Sequence, residues 1–191
     1  YKIGFPLDDA WIHQTYARNL AVYGEWSFIP GITSGGSTSP LWTVLLSFGQ
    51  LVKLPVVVWP FFLGSLALFL QATLAGKIIQ HERADTRTSM ITILFFILEW
   101  HYLWAALSGM ETIVYSFLIT AVLFTLFKTE TNYLFLGLFI GLGVWIRPDS
   151  ITLLGPAALA AVFVKQKNQN RFKELSLLLA GILLLLVPYG L

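Results

Sequence analysis

Asp8 and Asp9 stand side by side at the head of a polar, aromatic stretch, Asp8-Asp9-Ala-Trp-Ile-His-Gln-Thr-Tyr-Ala-Arg-Asn-Leu. An ionised carboxylate can take a proton from a hydroxyl, and a close second one can raise its pKa or help hold a cation. A second polar run, Gly-Ile-Thr-Ser-Gly-Gly-Ser-Thr-Ser-Pro-Leu-Trp, follows at 31–42. Adjacent carboxylates beside hydroxyls and indoles at a membrane surface suit chemistry on a sugar delivered by a lipid. The competing role is local: either aspartate can cap the helix that follows and favour its dipole, a contribution of roughly 0.5–2 kcal/mol. Capping needs only one of them.

Three further sites carry charge at or near apolar segments. Glu111 lies in Ser108-Gly109-Met110-Glu111, and Ser-x-x-Glu before an apolar run reads as a capping box. A cap and a site role both put Glu111 at the same face. Arg147-Pro148-Asp149 falls where one span ends and another begins; Pro148 disfavours helix at Arg147, and Asp149 can cap the next helix. An arginine there can hold a lipid phosphate bidentately, or snorkel and pair with Asp149. Glu99 sits inside an apolar run, about 12 Å of helix rise from its outer end. An ionisable group within a span faces a cavity or a partner, so Glu99 is either a functional group or a hydrogen-bonded packing residue.

Weaker signals surround these. His13 and His101 lack metal-ligand spacing with each other or with carboxylates, and no carboxylate spacing is diagnostic of a divalent cation. A cation therefore stays open. Trp11, Trp26, Trp42 and Trp104 can stack on sugar rings or form an interfacial aromatic belt. Gly35-Gly36 has neither the lysine pattern nor the preceding strand of a nucleotide loop.

The elements that must position these residues are apolar helices. Hydrophobic residues make up 57% of the 191 and charged residues 12%, with a mean hydropathy of +0.74, far from the balance of a soluble domain. A net charge of +2 gives no footprint for nucleic acid, and the chain has no cysteine for a disulfide or thiolate site. The expected fold is all-α, a polytopic transmembrane bundle with extracytoplasmic surface helices in its first loop. Residues 1–55 form that loop, and 56–191 the transmembrane region. Candidate spans are 56–79, 88–107, 111–127, 132–147, 150–164 and 174–191.

The pattern predicts surface helices at 9–23 and 41–52. Ile12, Tyr16, Leu20 and Tyr23 mark the packed face of the first, and Gly24 its end. Ser39-Pro40 supplies a cap and first-turn proline for the second. Gly137 and Gly141, with Gly143 beside them, predict close helix packing. The basic loop 165–173 (Lys165, Lys167, Arg171, Lys173) is assigned to the cytoplasm. Alternation then puts 1–55, 108–111 and 147–149 outside, where the acidic residues gather. The chain opens on Tyr1 and ends on Leu191 inside an apolar run, and is read as part of a longer protein with a leading transmembrane helix and later segments.

Taken in order, the Asp8-Asp9 pair, Tyr16-Ala17-Arg18-Asn19-Leu20, Gly36-Ser37-Thr38-Ser39-Pro40-Leu41-Trp42, Gly109-Met110-Glu111-Thr112 and Arg147-Pro148-Asp149 resemble the membrane glycosyltransferases of the C fold class. Relatives of that kind are the bacterial arabinofuranosyltransferases and the dolichyl-phosphate-mannose and aminoarabinose types. The resemblance covers about 8–150. It implies an integral enzyme of the plasma (inner) membrane with its site on the extracytoplasmic face. The enzyme would move a sugar from a polyprenyl-phosphate donor to a glycan, lipid or protein acceptor, with inversion. It also implies that Asp8 or Asp9 is the general base, that Arg147 and Arg18 neutralise the leaving phosphate, and that Glu111 and Asp149 bind hydroxyls. Trp42 and Glu99 join them as substrate-binding candidates. The rival reading is a transporter or lipid-linked-substrate flippase working through Glu99 and Arg147. A third is a non-catalytic assembly subunit.

Overall fold

The computed structural model describes residues 4–83, 85–128, 131–163 and 170–189. Among them the chain is predominantly helical. In order run α1 (Asp8–Tyr23), a hairpin of β1 (Ser27–Ile29) and β2 (Ile32–Thr33), α2 (Pro40–Leu51), α3 (Val58–Arg83), α4 (Thr86–Leu98) and α5 (Trp100–Ala106). Then follow α6 (Thr112–Leu126), α7 (Tyr133–Ile146), a 3-10 turn (Pro148–Leu153), α8 (Leu154–Phe163) and α9 (Arg171–Tyr189).

The two surface helices expected at 9–23 and 41–52 are α1 and α2, and their details differ from expectation. The residue before α1 is Leu7, whose side chain accepts nothing, so neither aspartate caps the helix. Asp8 and Asp9 instead occupy the first turn, where Asp8 Oδ1 accepts the N–H of Asp9 at 3.1 Å. Gly24 ends the helix in the left-handed region (φ 68°), its N–H reaching the carbonyls of Asn19 and Leu20. The buried face carries Ala10, His13, Gln14, Tyr16, Ala17 and Asn19, and not the apolar set Ile12, Leu20 and Tyr23. The reason is steric. Ala17 lets α1 approach Trp42 and Leu46 of α2 within one packed cluster, and polar partners come in with it.

The small hairpin was not anticipated. Pro30-Gly31 turns it, with Gly31 at φ 83°, and Ser27 pairs with Thr33 and Ile29 with Ile32. Asn19, wholly buried, ties it to α1 by donating to the carbonyls of Ser27 (2.9 Å) and Phe28 (3.1 Å). In α2, Pro40 takes the first turn as expected. Ser39 holds the cap position, but its hydroxyl makes no capping bond.

Among the described residues two helices are long and apolar enough to cross a membrane, Val58–Glu82 of α3 and Arg171–Tyr189 of α9. The pair α4 and α5, bent by 56° at Glu99, makes a third if counted as one span, and α6, α7 and Pro148–Phe163 are shorter apolar helices. The outside of α4 presents Met90, Ile91, Leu94, Phe95 and Leu98. Such a surface fits membrane association and not an aqueous boundary. Part of the basic loop 165–173 lies outside the described residues.

The cores are built where helices touch. Tyr133, Leu136, Ile140, Ala157, Ala161, Leu178 and Ile182 join α7, α8 and α9, while Ala67, Leu68, Ala105, Ala106 and Ile113 join α3, α5 and α6. The glycine pattern does the expected work. A methyl group on Gly137 would run into the Leu178 carbonyl, and one on Gly141 would lie 3.0 Å from the Leu185 side chain. α7 and α9 are thus packed backbone to backbone. Trp145 extends the contact by donating its ring N–H to the Leu185 carbonyl at 2.8 Å.

Candidate functional site

One buried polar cluster gathers five separated parts of the chain. His13 comes from the middle of α1, Ser37 from the loop before α2, Thr43 from the first turns of α2, Glu111 from the turn before α6, and Arg147 from the end of α7. Its centre is Glu111, 4% exposed. Glu111 Oε2 is 3.5 Å from His13 Nε2, and Oε1 is 3.7 Å from Arg147 Nη1. On its other edge the His13 ring meets Ser37 through Nδ1 at 3.1 Å, and the Ser37 and Thr43 hydroxyls lie 2.7 Å apart.

Local sequence explains why Glu111 points inward. The preceding turn needs Gly109 at φ 79°, and a side chain there would strike the Phe5 ring. The wholly buried Trp42 donates its indole N–H to the Gly109 carbonyl at 3.1 Å, pinning that turn to α2. The expected capping box does not form. Ser108 gives its hydroxyl to the Ala105 carbonyl and accepts the N–H of Met110, while the Glu111 side chain makes no cap bond. With both capping duties discharged elsewhere, the carboxylate turns to His13 and Arg147.

The electrostatics follow from those neighbours. Burial pushes the Glu111 carboxyl up, but the His13 ring and the Arg147 charge outweigh it and hold the group below the usual carboxylate range. Arg147 is half-exposed. Its Nη2 lies 3.4 Å from Asp149 Oδ2, and its guanidinium carbon stands 5.7 Å from the centre of the Tyr115 ring. Glu111, Asp149 and Tyr115 together orient a cation whose outer edge remains open to solvent. Asp149 sits in the first turn of the 3-10 helix and is exposed.

The other sequence candidates divide. Asp8 and Asp9 are exposed on the first turn of α1, with Asp9 one turn before His13 on the same face. Trp42 is a structural anchor for the Gly109 turn, with its ring enclosed. Arg18 points away from the cluster and donates through Nε and Nη2 to Asn19 Oδ1 at 3.1 and 3.0 Å. Glu99 belongs to the α4–α5 break, where it accepts the Tyr102 N–H at 3.0 Å and bonds the His101 ring. Among the described residues no three His, Asp or Glu side chains converge as a metal site.

Sequence reasoning weighed His13 only as a metal ligand and quoted Ser37 only within a motif, and it passed over Thr43 and Tyr115. The usable signal for His13 was its spacing, four residues after Asp9 and between Ala10 and Ala17, which marks the close-packed face. Nothing local distinguishes Ser37 from its neighbouring hydroxyls. No protein-family model, curated protein or solved structure matches this chain.

Proposed function

We propose that this chain belongs to an integral membrane glycosyltransferase that moves a hexosyl or pentosyl group from a polyprenyl-phosphate donor to an extracytoplasmic glycan, lipid or protein acceptor. The observation that carries this reading is the oriented, half-exposed Arg147, braced by buried Glu111 in a chain otherwise built of apolar helices. A guanidinium held in this way presents its free N–H groups to a phosphate at a membrane boundary. A phosphate-linked lipid needs that stabilisation most as the glycosidic bond breaks and charge builds on the leaving oxygen.

In the step itself, the acceptor oxygen attacks the anomeric carbon from the face opposite the phosphate. The carbon–oxygen bond to phosphate breaks, the electron pair leaves with the polyprenyl phosphate, and the hydroxyl proton passes to a carboxylate. Asp8 and Asp9 suit that last role because they are exposed, acidic and not engaged as caps. Glu111 serves as a positioning residue that acts through Arg147 and His13. The reading takes this cluster to lie on the extracytoplasmic face of the plasma (inner) membrane, in line with the basic residues of 165–173 being cytoplasmic.

The order Ser37–His13–Glu111 also has the form of a nucleophile relay. Ser37 is buried and its hydroxyl is shared with Thr43, so the relay is better read as the brace behind Glu111. A second reading rests on the bend at Glu99, since broken helices carrying a carboxylate are found in transporters. Polyprenyl-phosphate release by the reconstituted full-length protein, over a panel of lipid-linked sugars, separates the two. Acceptor-dependent release that Asp8→Asn or Asp9→Asn abolishes supports the transferase. Sugar movement across the bilayer without bond cleavage supports the transporter.

A further inference from the structure

On the side of α1 turned away from His13, a cleft of about 140 Å³ lies between α1 and the end of α2, lined by Trp11, Gln14, Thr15, Arg18, Gln50 and Val56. Its walls are indole, carboxamide and guanidinium, each held in place. Trp11, 44% exposed, is braced edge-on by Phe5 at a centroid distance of 5.0 Å. Gln50 Nε2 donates to Gln14 Oε1 at 3.0 Å, which leaves the Gln14 amide hydrogens and the Gln50 carbonyl oxygen for a ligand. Arg18 is fixed by Asn19, itself buried and anchored on two carbonyls, and keeps its remaining N–H groups free.

We propose that this cleft is a carbohydrate subsite that seats one sugar ring of the acceptor. An indole face takes the C–H face of a ring, and planar amide and guanidinium groups match pairs of neighbouring hydroxyls. A simple anion would use Arg18 alone, two of whose N–H groups are already committed.

The helix supplies the link to chemistry. At about 100° per residue, Asp8, Trp11, Thr15 and Arg18 form one stripe of α1, while Asp9 shares the opposite half with His13 and Tyr16. A ring in the cleft therefore lies on the Asp8 stripe, with the Arg147 cluster on the other side of the helix. The identity of the occupant as acceptor rests on the transferase reading; sugar binding itself does not.

The test is saturation-transfer NMR on the full-length protein in nanodiscs with a panel of methyl pyranosides and furanosides, and inorganic phosphate as competitor. Val56→Trp fills the mouth of the cleft and removes no hydrogen bond. It should weaken the bound glycoside about tenfold or more, as should Trp11→Ala, while Trp11→Phe stays within about threefold. Phosphate should not displace the sugar. Absence of binding by every glycoside, binding indifferent to Val56→Trp, or displacement by phosphate each overturns the proposal. If Trp11→Ala unfolds, Val56→Trp decides. The two readings fail separately. Variant-sensitive glycoside binding without release from any lipid-linked donor keeps the subsite and removes the transferase, and the reverse result does the opposite.

Discussion

Glu111→Gln separates a site carboxylate from a helix cap more cleanly than any other change in this chain. A capping box accepts Gln in place of Glu, so a cap would be unaffected in stability and activity alike. The structure leads elsewhere, because the Glu111 carboxylate is spent on His13 at 3.5 Å and Arg147 at 3.7 Å. Breaking a fully buried ion pair costs about 3–5 kcal/mol when it strands a charge. Here little is stranded: Arg147 is 39% exposed and keeps Asp149, and Gln avoids burying a charge. The expected stability loss is about 1 kcal/mol or less.

Activity should respond differently. Loss of the 3.7 Å ion pair that orients Arg147 should appear as a fall in turnover of about tenfold, equivalent to about 1.4 kcal/mol. The pH dependence carries a sign. The folded carboxyl lies below its ordinary range, so its contribution to stability is present above the unfolded carboxylate pKa and lost as pH falls through the folded value. The stability gap between wild type and Glu111→Gln should be flat across neutral pH and should close in acid. Polyprenyl-phosphate release and thermal unfolding of the reconstituted full-length protein measure both quantities. Turnover within threefold of wild type would refute the reasoning.

The remaining predictions use the same preparations. Arg147→Ala should raise the donor KM far more than the acceptor KM, with partial recovery in Arg147→Lys; equal effects on both substrates would count against a phosphate role. Asp8→Asn and Asp9→Asn should leave unfolding temperatures nearly unchanged, since neither residue caps α1, while the one that acts as base loses roughly 10²–10⁴ in turnover; release assays beside melting curves decide. Gly181→Ala should destabilise by about 1–3 kcal/mol through overpacking, because its methyl group would lie 2.5 Å from the Leu134 carbonyl oxygen. Gly155→Ala, with open space around it, should show no such loss in the same melting experiment. Glu99→Gln should keep donor turnover within about threefold; a loss comparable to that of Glu111→Gln would shift weight to the transport reading.

Much of the helical order was legible in the sequence because apolar run length and the residues between runs are local signals. Pro40 and Gly24 fall where a helix begins and ends, and Gly137 with Gly141 signalled close helix packing, for which the structure supplies α9 as the partner. The buried face of α1 was not legible. Its apolar residues suggested one stripe, of which only Tyr16 is buried; α1 meets both the apolar cluster of Trp42 and Leu46, through the small Ala17, and a polar cluster, through His13. Glu111 illustrates the same limit. Ser108-x-x-Glu111 is consistent with a cap, and only the Gly109 turn, fixed by Trp42 from far along the chain, sends the carboxylate inward. The hairpin at 27–33 was missed because two short strands carry too few residues to show a period.

The bend at Glu99 is where the rival reading must gain its strength, and the local bonding works against it. A transport site in a broken helix leaves backbone groups and side chains open to an ion or substrate. Here the Glu99 carboxylate is consumed within three residues: it caps the start of α5 through the Tyr102 N–H and pairs with the His101 ring. Phe96 stacks on Tyr102 across the break at 5.0 Å, so the two segments brace each other. Arg147 differs on each count. Besides the neighbouring Asp149 it has Glu111 and Tyr115 from a distant part of the chain, its outer edge is open, and the Glu111 carboxylate is buried at 4% exposure. A buried carboxylate beside a half-exposed guanidinium is the geometry on which the proposed phosphate role of Arg147 rests.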